Sequence, residues 1–225
     1  IHQVFSQDKN NAFELASALN AMPCNDIKFI TDESQLYIIC IKDDCIATIA
    51  SQFNFTNKMV VHTSGSVGLD VLNRFEHFGI IYPLQTFSKN TPLNIQQVPF
   101  CIEGDNKETT HTLKSVVAKL TTNVLEINTE QRRKLHLAAV FACNFTNHLY
   151  AIAEAILTTD QMDLELLKPL ILETAKKILS NSPKSVQTGP AKRNDQETIK
   201  NHLELLNKNQ QEIYSLLTKS ILNGN

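Results

Sequence analysis

His136, Asn144 and His148 are spaced at multiples of four, which on a helix sets them along one broad, slowly drifting stripe. The stretch around them, Leu135 to Phe145, is apolar nearly all round, and polar groups in such company need hydrogen-bond partners or a chemical task. Imidazole titrates nearest neutral pH, so His136 is the leading candidate for a general acid or base; a histidine satisfied within a core is the bland alternative. A second cluster, His62-Thr63-Ser64-Gly65-Ser66, follows an apolar run ending at Val61. Hydroxyls and the close backbone approach that glycine permits could there hold a carboxylate or phosphate, with Ser64 and Gly65 in contact. The same residues also suit a Ser/Thr turn that caps a helix. Another run ends in Tyr82-Pro83-Leu84-Gln85-Thr86-Phe87-Ser88, a rigid loop that offers Gln85. Thr188, Gly189 and Arg193 sit in a segment that joins a hydroxyl, a flexible backbone and two cations ahead of a helix, and Arg193 could clamp an anion; a plain solvated loop is the alternative. Metal chemistry finds no support, because there is no His-Glu-x-x-His and no Cys-x-x-Cys. The five cysteines, an odd number, read as reduced, buried small hydrophobes.

The elements that must position these groups change character along the chain. Up to about residue 127, short apolar runs alternate with amphipathic stretches, as in a mostly parallel α/β sheet. Val4-Phe5 reads as a strand, and Asp8 caps a helix that turns Ala12, Phe13, Leu15, Ala16 and Leu19 inward. Leu36 to Ile41 is apolar at consecutive positions and reads as a central strand. A helix with Ile46, Ile49, Ala50 and Phe53 inward follows, then strands at Met59-Val60-Val61, Gly79-Ile80-Ile81, Phe100-Cys101-Ile102 and Val124-Leu125, with helices over Val67 to Phe75 and around Leu113. From residue 128 to 225 only helices are expected, opened by an Asn128/Gln131 capping box and a long helix from Glu130 to about Leu157. That divides the chain into a sheet domain, 1–127, and an all-helical domain, 128–225. With 42% hydrophobic and 20% charged residues and a net charge of −2, the chain has no footprint for nucleic acid or an anionic membrane surface. Neither a signal-peptide pattern nor a spanning apolar run appears, so a cytoplasmic protein is the expectation.

Five segments in this order carry a resemblance: His62-Thr63-Ser64-Gly65, Tyr82-Pro83-Leu84-Gln85-Thr86-Phe87, Leu135-His136-Leu137-Ala138-Ala139-Val140-Phe141, Asn144-Phe145-Thr146-Asn147-His148 and Thr188-Gly189-Pro190. The chain resembles a bacterial family of proposed NADP oxidoreductases with a Rossmann-like first half and a C-terminal domain of unknown function. More distantly it is similar to pyrroline-carboxylate reductase, ketopantoate reductase and the hydroxyisobutyrate and phosphogluconate dehydrogenases. The resemblance implies a doubly wound, mostly parallel sheet followed by an all-α domain similar to the phosphogluconate dehydrogenase C-terminal domain. No Gly-x-Gly-x-x-Gly occurs in the sequence, so the first strand and its Gly-rich loop are missing. Val4-Phe5 and Leu36 to Ile41 are thereby expected to lack their common neighbour, and an upstream extension of roughly 25 to 35 residues would supply it.

The resemblance further implies NADP-dependent hydride transfer to or from a small metabolite at the cleft between the halves. His136 would handle the proton, Asn144 would orient the substrate, and Ser64 and Gly65 would hold its carboxylate. Gln85, His148, Thr188, Gly189 and Arg193 are expected around it. Ser6 and Lys9 would receive the 2′-phosphate of NADP in preference to NAD, with Asp8 occupied as a helix cap and Gln7 where the family often has Arg. The hydroxyacid dehydrogenases place Lys and, one turn later, Asn in the long helix; here Val140 follows His136 by one turn. A non-catalytic nucleotide-binding regulator or scaffold is therefore the alternative function. The apolar long helix needs a cover that the other helices can give only in part, so a homodimer joined through the helical half is expected.

Overall fold

A computed structural model describes residues 1–89 and 91–224 and divides the chain into two compact units, Ile1–Cys143 and Asn144–Asn225. The first begins with strand β1 (Gln3–Phe5) and helix α1 (Lys9–Leu19). Asp8 caps α1, its carboxylate accepting from the Asn10 and Asn11 amides. Strand β2 (Met22–Cys24) returns parallel to β1, and the two make a separate small sheet. Next come β3 (Leu36–Ile39), α2 (Ile46–Ser51), β4 (Met59–His62), β5 (His77–Pro83), β6 (Phe100–Gly104), α3 (Lys107–Val117), β7 (Val124–Glu126) and α4 (Thr129–Ala139). Strands β3 to β7 form one sheet in chain order, parallel except for the antiparallel β5–β6 pair.

Side chains alternate across a strand, so the register sorts residues onto two faces. Ile39 stands opposite His62, His62 opposite Ile80, Tyr82 opposite Cys101 and Ile80 opposite Glu103. These six therefore share one face. Its β3–β4 end is covered by Ile46, Ala50 and an aromatic group of Phe53, Phe55 and Phe75, and its β5–β6 end by Leu135 of α4. The other face holds Val61, Ile81, Phe100 and Ile102 against Leu113 and Val117 of α3. Full burial of one such side chain contributes about 1.5–3 kcal/mol, and both clusters together fix the register of the sheet.

Some expectations need correction. Of the run Leu36 to Ile41 only Leu36–Ile39 is strand, and among the described residues it pairs with β4 alone, as the expected loss of its neighbour requires; Ile38 is 52% exposed. The outer edges of β1 and β3 both border a cavity of about 550 Å³, into which Leu15 and Leu19 of α1 also face. The two strands expected to lack a common neighbour thus stand unjoined, and Phe13, Leu15 and Leu19 are exposed while Ala12 and Ala16 are buried. In place of a helix over Val67 to Phe75 there is a single 3-10 turn, Leu69–Leu72. Strand β2, with Pro23 inside it, was not foreseen. All five cysteines are free thiols, but only Cys24 and Cys101 are buried; Cys40, Cys45 and Cys143 are exposed in loops or on helix surfaces.

The capping box of α4 forms as expected, with Asn128 and Gln131 bonding reciprocally. The helix passes into a π-helical stretch, Val140–Phe145, and from there into α5 (Thr146–Thr158). The second unit continues with α6 (Lys168–Ser180), α7 (Pro190–Arg193), α8 (Gln196–Glu204) and α9 (Lys208–Leu222). Within it, the Gln211 amide donates to the Leu203 and Leu206 carbonyls and closes the end of α8. His202 and Tyr214 share a 2.9 Å hydrogen bond that ties α8 to α9. No helix among the described residues is long and apolar enough to cross a membrane.

Candidate functional site

Arg132, Arg133 and His136 lie three or four residues apart on α4, hence on one face, and that face grips the loop leaving β4. Arg132 donates to the Val67 carbonyl and Arg133, through Nε, to the Ser66 carbonyl at 2.8 Å. The His136 ring lies on Gly65: a Cβ at that position would come 2.6 Å from Nδ1 and 2.7 Å from Cγ. Only glycine allows this approach. On its other side, His136 Nδ1 is 3.0 Å from the Tyr82 hydroxyl, and the two rings meet edge to face.

The grip has an ionic anchor. Arg132 is 1% exposed and pairs with Glu103, whose carboxylate also accepts from the Thr129 amide and hydroxyl, both at 2.8 Å. Burial pulls the Arg132 pKa down, and the Glu103 bond and charge pull it back up.

Inside the loop the polar groups are largely spent on one another. Ser64 Oγ accepts from the Ser66 and Val67 amides, the turn-capping arrangement that stood as the alternative to ligand binding. Ser66 donates its hydroxyl to Asp43. His62, fully buried, accepts the Ser64 amide at Nδ1, 3.2 Å, and sets Nε2 3.3 Å from the Gly68 carbonyl. Those two bonds require a neutral ring protonated at Nε2. Burial, the largest cause, lowers the His62 pKa below its ordinary 6.5, with the Arg132 charge helping. Stability follows with a definite sign. Above 6.5 the contribution is whole; as pH falls below it, the unfolded chain takes up a proton that the native ring refuses, and stability is lost until the lowered native value is passed. Urea midpoints should decline over that acidic range, and His62→Gln should flatten the decline. Parallel curves for the two proteins would refute a buried neutral His62.

The structure thus brings Ser64, Gly65 and His136 together. Gln85 is exposed, its side-chain carbonyl accepting from Thr86. Ser6 and Lys9 flank the turn from β1 into α1, apart from this loop. Asn144, His148, Thr188, Gly189 and Arg193 belong to the second unit. Asn144 and His148 are exposed there, and Gly189 adopts φ +103°, a conformation glycine takes without strain, to turn the chain into α7. Three members went unforeseen. Tyr82 reads in the sequence as the start of a loop in which Gln85 is the candidate, and it lies instead inside β5; Glu103 in alternation with Cys101, and Arg132 one turn before His136, were signals in the sequence.

A mostly parallel α/β unit followed by helices is the Rossmann-like layout, and solved structures share it throughout. A proposed NADP oxidoreductase from Bacteroides fragilis is 38% identical, with TM-score 0.91, over 99% of this chain and 88% of its own. A Thermotoga maritima protein is 21% identical at TM-score 0.84, over 100% and 91%. An Aspergillus terreus reductive aminase in complex with NADPH and ethyl levulinate shares the fold at TM-score 0.68 and 13% identity, over 99% and 85%. Residues 98–221 match the family described as a domain of unknown function, DUF2520. The chain belongs to that family. No curated protein matches it.

Proposed function

We propose that the protein is an NADP-dependent oxidoreductase of a small metabolite, in which His136 holds the proton exchanged with the substrate. The observation that carries this reading is the 38% identity, over 99% of the chain, to a proposed NADP oxidoreductase. The residues present suit the cofactor's charge. Asp8 is turned onto the Asn10 and Asn11 amides, while the Ser6 hydroxyl and Lys9 ammonium bond no described residue, so a cation and a hydroxyl stand ready for a 2′-phosphate. The nicotinamide supplies hydride when bound. Gly65 and Tyr82 keep His136 in one orientation, and proton assistance by such a group typically contributes about 10²–10⁴ in rate. Ser64 acts by shaping the loop. Candidates in the second unit carry no step of this reading.

Fluorescence titration of the full-length protein should give tighter binding of NADPH than of NADH, and Lys9→Glu should erase the difference. Tighter NADH binding would overturn the NADP assignment, and binding of neither would overturn the function. A homodimer through the helical unit is part of the proposal: Leu170, Leu179, Leu205 and Leu216 are 62%, 85%, 81% and 70% exposed in the single chain, far from what a lone soluble subunit usually shows. Light scattering on the same sample should give twice the mass of its polypeptide, and the mass of one chain would remove the dimer.

A further inference from the structure

Tyr82 is 9% exposed, and burial pushes its phenol pKa up, so the hydroxyl keeps its proton at neutral pH. That proton needs an acceptor. Among the described residues the Tyr82 hydroxyl has one hydrogen-bond partner, His136 Nδ1 at 3.0 Å. A neutral imidazole has one N–H and one bare nitrogen. Were the ring proton on Nδ1, the phenol would be left to accept, and its own O–H would be buried without a partner. With the proton on Nε2 both groups are satisfied, because Nδ1 accepts the phenol and Nε2, bonded to no described residue, stays available. Gly65 lies beside the same nitrogen, so near that a methyl there would come 2.6 Å from it.

We infer that Tyr82 is the positioning residue of the site: it fixes His136 as the Nε2–H tautomer and turns that N–H, as a donor, toward the substrate. This deepens the oxidoreductase reading and rests on it for the word substrate, whereas the tautomer itself is a property of the protein alone. Glu103 and Arg132 hold α4 over the loop, Gly65 admits the ring, and Tyr82 selects which nitrogen is left to act.

The test is long-range ¹H–¹⁵N correlation of the histidine rings in the full-length protein, without cofactor, above the titration range of imidazole. His136→Gln identifies the His136 signals by their loss. The expected spectrum shows Nδ1 unprotonated and Nε2 protonated in a single tautomer; in Tyr82→Phe, which keeps the ring and removes only the hydroxyl, both ¹⁵N shifts should move toward those of a mixed population. A native His136 protonated at Nδ1, or ¹⁵N shifts unchanged in Tyr82→Phe, would overturn the assignment. The native spectrum decides the tautomer even if the variant folds poorly, which its amide spectrum would reveal. Nicotinamide titrations report separately, so loss of the oxidoreductase reading and loss of this inference are different results.

Discussion

Arg132→Ala should cost the first unit about 3–5 kcal/mol, the range seen when one partner of a buried ion pair is removed. Arg132 is fully buried at 1% exposure, and its partner Glu103 is largely covered at 15%. Truncation leaves the Glu103 carboxylate facing a void, strips the Val67 carbonyl of its donor and opens space where the largest fully buried side chain stood. Against a total stability of about 5–15 kcal/mol for an ordinary domain, that loss is severe. Urea unfolding followed by far-ultraviolet dichroism measures it. Adding Glu103→Gln should return part of the loss, because the stranded charge is then gone. A single variant within about 1 kcal/mol of the native protein would show that the pair is worth no more than a surface ion pair.

Gly65→Ala should damage function more than stability. The new methyl would meet His136 at Nδ1, Cγ and Cβ, at 2.6, 2.7 and 3.0 Å. Because the His136 Cβ is fixed to the helix backbone, a rotamer change cannot relieve all three contacts. Either the loop lifts or α4 backs away, and overpacking of that kind typically costs about 1–3 kcal/mol. Withdrawal of α4 would also break the Tyr82 bond. Turnover, once a substrate is in hand, should fall by about 10² or more, while NADPH affinity stays within a few-fold of native. An alanine variant with native turnover would mean that the position of His136 does not matter to the chemistry.

Runs with a clear pattern were readable directly. β4, β5 and β6 stand where consecutive apolar residues predicted strands, and the Asn128/Gln131 box opens α4 where its spacing said it would. Residues whose environment depends on partners far along the chain were not. Leu36 to Ile41 has the composition of a strand buried on both sides, and composition cannot say whether a neighbour is present; β3 lies at the edge. Val67 to Phe75 has helical periodicity, but Arg132 and Arg133, more than sixty residues away, hold the Ser66 and Val67 carbonyls, and only a 3-10 turn remains. His136 and Gly65 were each legible as candidates, but their contact was not, and Tyr82 became part of the site only through a hydrogen bond spanning 54 residues.

The open edges of β1 and β3 bear on how the chain behaves in a crowded solution. Each presents a row of backbone donors and acceptors to any extended peptide that approaches. Leu36-Tyr37-Ile38-Ile39-Cys40-Ile41 carries no charge, proline or glycine to discourage such pairing, and it has the β-branched, apolar make-up of segments that stack into cross-β ribbons. Lys42 and Asp43 are the first gatekeepers after it, and Glu33 is the nearest before it. A strand seated between β1 and β3 would block that pairing, whereas a chain that leaves the edge unpaired is open to strand addition by a second copy.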